Sequence, residues 1–108
     1  MTIKVNQCAL KALEKITGGK LTLGKTLWAI RMADELTQVE FAELLEMSKQ
    51  QLCDIEHGRK VVSPKLAAWY AKKLGYSQEQ FIRLALQDML DREGLKVTVE
   101  IKLNYAHI

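Results

Sequence analysis

Residues 37–58 read TQVEFAELLEMSKQQLCDIEHG. Thr37 followed three residues later by Glu40 is the pattern of a capping box, in which a hydroxyl and a carboxylate each satisfy a backbone N–H at a helix start. The helix opened there runs to about Leu45. Ser48 caps a second helix over about 49–57, which Gly58 stops. Only Glu46, Met47 and Ser48 stand between the two. Phe41, Leu44, Leu45, Met47, Leu52 and Ile55 supply apolar faces, with Met47 placed to plug the corner. Ala42 is small where two helices must cross closely. Two readings fit this layout: an ordinary helical hairpin, or a helix-turn-helix whose second helix fits the DNA major groove.

Helix signals continue on both sides. Upstream, Thr22 precedes a helix over about 23–34 with Leu23, Leu27 and Ile30 at helical spacing. Before that, Asn6 caps a short helix over about 7–16, ended by Gly18-Gly19 as a hinge. Downstream, Ser63-Pro64 is a cap followed by proline at the first helical position, and that helix ends at Gly75. Ser77 with Gln80 forms another capping box, opening a helix that runs to Glu93 before Gly94.

The period then changes. Leu95, Val97, Val99, Ile101 and Leu103 alternate with Lys96, Thr98, Glu100 and Lys102, the pattern of a strand. A lone strand leaves its backbone groups unpaired, so the same strand of a second copy is the expected mate, a disordered tail being the other reading. Phe81, Ile82, Leu84, Ala85, Leu86, Met89 and Leu90 are too apolar for one buried face and point to the same partner. The expected fold is mainly α, with five to six helices and one C-terminal β-strand pairing across a dimer. Its parts are an N-terminal helix and hinge (1–19), a helix-turn-helix domain (20–76), and a helix with a strand for dimerisation (77–108).

Composition narrows the function classes. The 108 residues are 48% hydrophobic and 27% charged, the balance of a globular domain. No apolar run approaches the length of a membrane span, and the N-terminus has charged residues within its apolar stretch and no cleavage site, so a cytoplasmic protein is expected. Cys8 and Cys53 are too few and too far apart for a disulfide scaffold or a zinc site. His57 and His107 lack ligand-spaced neighbours, and neither a phosphate loop nor a nucleophile–base pairing is visible. Neither enzyme activity nor a metal or cofactor is expected. The net charge of +3 says little, but its distribution says more. Arg59, Lys60, Lys65, Lys72 and Lys73 occur with no acid among them, whereas residues 21–57 are acidic on balance. Such a basic segment is either a phosphate footprint or a solvated face.

The sequence resembles the lambda-repressor-like (Cro/CI, XRE) helix-turn-helix family. The residues that carry the resemblance are Leu27 and Arg31, then Thr37-Gln38 with Ala42, then Ser48 through Ile55-Glu56-His57-Gly58. It continues through Ser63-Pro64 and Ala71-Lys72-Lys73-Leu74-Gly75, covering about 23–76. One departure is Glu46, where the family usually has glycine in the turn. A left-handed backbone there would cost Glu46 about 1 kcal/mol relative to glycine.

The resemblance implies a double-stranded DNA operator as partner and a homodimeric repressor acting on it. Lys49 and Gln50 fall at the exposed start of the recognition helix, where a lysine can pair with guanine O6 and N7 and a glutamine with adenine N6 and N7. Asp54, four residues after Gln50, either accepts from cytosine N4 or pairs on the surface with Lys49 or Arg59. Gln38 falls where helix N–H groups and a side-chain amide can meet a phosphate, and Ser48 caps the recognition helix with DNA contact as an extra. Arg59, Lys60 and Lys65 occupy the place of the family's phosphate clamp, which orients without reading sequence. Arg31 and Glu56 match a family ion pair between its first and third helices, so Glu56 is expected to be structural. Trp28 and Trp69 lie off the main apolar stripes and are expected at the core edge. Small members of the family such as the HigA and HipB types act as antitoxins, so a toxin protein is the alternative partner, and the N-terminal helix and C-terminal strand are appendages that could hold it.

Overall fold

Every described helix starts on a hydroxyl. In the computed structural model, which describes residues 21–102 and 104, the helices are α1 (Leu23–Ala33), α2 (Gln38–Leu44), α3 (Lys49–Glu56), α4 (Pro64–Leu74) and α5 (Gln78–Arg92). Thr22, Thr37, Ser48, Ser63 and Ser77 each accept a backbone N–H from three residues on, satisfying one of the donors a helix start leaves open. At Thr37 and Ser48 the side chains of Glu40 and Gln51 return the bond, completing capping boxes. The box expected at Ser77 is only half made: Ser77 accepts from the Gln80 N–H, and no bond returns from the Gln80 side chain. The helix expected over 7–16, the Gly18-Gly19 hinge and Leu103 lie outside the described residues.

The helices also end alike. Glu35, Glu46, Gly58, Gly75 and Gly94 follow α1 to α5 in turn, each with positive φ. After each, the next N–H reaches back five residues: Leu36 to Arg31, Met47 to Ala42, Arg59 to Asp54, Tyr76 to Ala71 and Leu95 to Leu90. This is the Schellman ending, which favours an apolar contact by the residue after the left-handed one. Leu36, Met47 and Tyr76 make that contact, each packed on the core. Three of the left-handed positions hold glycine; Glu35 and Glu46, with φ of 55° and 57°, do not. An L side chain is disfavoured there because its Cβ crowds the following carbonyl. Glu46→Gly is therefore expected to stabilise the fold by about 0.5–1 kcal/mol, the relief of strain being partly offset by a freer unfolded chain. A thermal melt reads this as a rise in Tm, and a fall would sink the account.

The core forms where α3 lies on α1 and α2, and where α4 packs along α5 in the most extensive helix pairing. Leu23, Leu27, Ile30, Phe41, Leu45, Leu52, Phe81 and Leu84 are almost fully enclosed. Leu44, expected to face inward, is 41% exposed on α2 instead. Trp28 and Trp69 are also partly exposed, and Trp69 sits edge-on to Tyr70 with the Lys73 ammonium 5.9 Å from its ring centre. The first turn of α1 is held from α5, because the Leu23 N–H donates to the Asp88 carboxylate at 3.0 Å. A carboxylate is favoured beside the positive end of a helix. Gly24 comes closest to its neighbour: a Cβ there would lie 2.1 Å from the Ile55 carbonyl oxygen of α3.

No strand occurs among the described residues, and the one expected over 95–103 is not formed over 95–102. A strand needs a ladder, and the described residues of a single copy hold no second strand to supply one. The side chain of Gln87 bonds to the segment instead, at Val97 and Val99. On α5, Phe81, Leu84 and Ala85 are buried, Ile82, Leu86 and Leu90 only half so, and Met89 is exposed.

Candidate nucleic-acid interface

The orientation of α3 follows from which of its residues the core takes. Leu52 and Ile55 are buried, so Lys49 and Gln50, and Asp54 one turn below Gln50, face outward at the surface. Ser48, the cap, accepts from the Gln51 N–H, and the Gln51 side chain bends back to accept from the Ser48 N–H at 3.0 Å. That return bond turns Gln51 toward the backbone and leaves Lys49 and Gln50 as the leading side chains of the helix. The S-x-x-Q spacing from Ser48 to Gln51 is itself a capping-box signature.

Asp54 is the hub of the outer face. Its Oδ1 accepts from Gln50 Nε2 and from Arg59 Nε, each at 3.0 Å. Asp54 forms a surface ion pair with Arg59. Its carboxyl is held below the usual carboxylate range by the Arg59 hydrogen bond first, with the Gln50 amide helping and partial loss of solvent opposing. Arg59 in turn is held more firmly protonated. Arg59 also donates from its second guanidine nitrogen to Cys53 Sγ at 3.4 Å. The Gln50 amide keeps one N–H and its oxygen uncommitted after the Asp54 bond.

Glu56 is a second hub, turned inward. Arg31 Nε and Nη2 reach its two carboxylate oxygens at 2.8 and 3.0 Å, a bidentate pair tying α1 to α3. The side chains of Arg31 and Glu56 are 12% and 2% exposed. Gln38 Nε2 donates to the same carboxylate at 3.0 Å, and Arg31 Nη1 to the Leu36 carbonyl at 3.1 Å. One of the two N–H groups of the Gln38 amide is thus committed inside the protein, leaving the other for an outside acceptor. Gln38 lines a shallow groove with Lys25, Trp28 and His57.

The basic residues fall into two groups. Arg59 and Lys60 leave the end of α3 together, their N–H groups both directed at the Asp54 carbonyl. The Arg59 carbonyl is pinned by Arg92 of α5, whose Nη2 donates to it at 3.0 Å. Lys65 stands apart from them, in a groove with Leu45, Glu46, Leu66, Trp69 and Tyr70. It therefore neighbours the acid of the turn, not the pair at the end of α3. His57 caps α3, its Nδ1 lying 2.8 Å from the Cys53 carbonyl.

Sequence reasoning missed Gly24, Arg92 and Gln87. No local pattern marks the close approach at Gly24, and the bonds of Arg92 and Gln87 join residues far apart in the chain or out of helical step. Among the described residues no group of His, Cys, Asp and Glu could hold a metal ion, and no helix is long and apolar enough to cross a membrane. No family model, curated protein or solved structure matches the chain.

Proposed function

We propose that the chain is a sequence-specific DNA-binding regulator of the lambda-repressor-like kind, acting as a homodimer that occludes a palindromic operator. The observation that carries this reading is the outward face of α3. Gln50 is anchored by Asp54 so that one N–H and the amide oxygen remain, the donor–acceptor pair that adenine N7 and N6 require. Lys49 stands beside it, free to reach guanine O6 and N7. In this reading Asp54 positions Gln50 and Arg59 and does not itself read a base. Arg59 and Lys60, tied to the end of α3 through their backbone and through Arg92, clamp the flanking phosphates. Gln38 offers its remaining N–H to a phosphate on the other side, Lys65 serves the outer rim, and Ser48 fixes the start of the reading helix. The Arg31–Glu56 pair sets the angle between α1 and α3 and touches no DNA. The half-buried second face of α5 and the segment beyond it belong to the dimer contact.

The test is fluorescence anisotropy over a salt series with the duplex upstream of the protein's own gene and a scrambled duplex. Tighter binding of the upstream duplex is expected, with log affinity falling against log salt at a slope of about −3 to −4 if Arg59 and Lys60 of both copies each neutralise a phosphate. Gln50→Ala is expected to lose about 1–3 kcal/mol of discrimination while keeping most of the salt slope. Weak binding without preference at low salt would reject the reading.

A further inference from the structure

Gln87 treats the segment after α5 as a strand. Its Nε2 donates to the Val97 carbonyl at 2.8 Å and its Oε1 accepts from the Val99 N–H at 2.9 Å. One amide bonded to the carbonyl before a residue and the N–H after it reproduces what a single residue of a neighbouring parallel strand does. The second Nε2 hydrogen goes to Asp91 Oδ1 at 2.9 Å, so both amide hydrogens are used and the side chain is fixed to its own helix. One edge of the segment is thereby taken, centred on Thr98. In extended backbone the N–H and C=O of Thr98 point to the opposite edge, with those of Lys96 and Glu100. Lys96, Thr98 and Glu100 are all exposed.

We infer that this open edge pairs antiparallel with the same edge of a second copy, in the one register that puts Thr98 on the two-fold axis. The inference rests on the dimer part of the proposed function and gives it a register. With Thr98 facing itself, Lys96 of one copy stands opposite Glu100 of the other, and the reverse pair follows by symmetry. Val97 then faces Val99, and Leu95 faces Ile101, on the other side of the ribbon. Leu95 and Val97, half of whose surface is exposed, thus meet the half-buried pair of the other copy. Moving the axis by one residue either way loses both Lys–Glu pairs. Moving it by two sets Lys96 against Lys96 or Glu100 against Glu100, and like charges directly opposite are destabilising. Within two residues of Thr98 the charges therefore select this register, Gln87 selects the edge, and Lys96 distinguishes it from the register that would set Glu100 against Lys102.

Sedimentation equilibrium on the full chain, without DNA, tests this. Lys96→Glu and Glu100→Lys are each expected to weaken self-association roughly tenfold to a hundredfold, since each turns both cross-strand pairs into like-charge pairs. An equal mixture of the two variants is expected to associate as heterodimers, and the Lys96→Glu/Glu100→Lys double variant to recover near wild-type association. Circular dichroism checks that the variants are folded. Gln87→Ala is expected to weaken the dimer and to speed exchange of the Val99 amide hydrogen. A wild-type dimer indifferent to both single charge changes overturns the register and leaves the dimer reading standing. A wild-type monomer at tens of micromolar (roughly the range of a weak specific interface) overturns both, while DNA reading by Gln50 is judged separately by anisotropy.

Discussion

Glu56→Ala is expected to cost the fold about 3–5 kcal/mol, the penalty of leaving one member of a buried ion pair without its partner. The Arg31 side chain is only 12% exposed, and its guanidinium would lose two of its three bonds, keeping the one to the Leu36 carbonyl. Gln38 would lose an acceptor as well. Urea denaturation at neutral pH measures the loss. An Arg31→Met/Glu56→Leu variant is expected to recover most of it, because the penalty lies in the stranded charge more than in the pair's net attraction. If Glu56→Ala loses less than about 1 kcal/mol, the pair behaves as a surface salt bridge and its role in joining α1 to α3 is wrong.

The second large effect is expected at Gly24. Alanine is the better helix former by about 1 kcal/mol, so an open site in α1 would gain from the change. Here the added Cβ would meet the Ile55 carbonyl oxygen at 2.1 Å and its carbon at 3.0 Å, both backbone atoms of α3 that cannot swing aside. The two helices must part, and overpacking of this kind costs about 1–3 kcal/mol. Separation would also stretch the Arg31–Glu56 contact, which spans the same two helices. Gly24→Ala is therefore expected to lower Tm, with a net loss near the upper end of that range. A higher Tm would mean that α1 and α3 do not touch there.

The helices were legible because what starts and stops them is local. Thr22, Thr37, Ser48, Ser63 and Ser77 stand immediately before the turns they cap, and Gly58, Gly75 and Gly94 immediately after the helices they end. The left-handed turn at Glu46 is legible only against the glycine usual in the family the sequence resembles, and nothing in its neighbours marks the matching turn at Glu35. Leu44 was misplaced because in a helix of two turns the 3.6-residue period does not decide which of two adjacent leucines faces in; tertiary packing chose Leu45. The Arg31–Glu56 contact came from resemblance alone, the two residues being 25 positions apart. The alternation after Gly94 reads as a strand that needs a mate. That a glutamine of the preceding helix would take one edge could not be read, because a side chain bonding to backbone ten residues on leaves no periodic trace.

Asp54 sets a carboxylate in the middle of the face that would meet the duplex, already bonded to Arg59. A regulator scanning a chromosome spends most of its time on wrong sequence, and its hold there comes from cations against backbone charge. An arginine with an acid at its side attracts that charge less strongly from a distance. On the proposed reading, encounters with random duplex are then brief and the protein slides or hops away quickly. The long residence falls where base contacts engage, so a charge that weakens attachment everywhere shortens the search for the one site that counts.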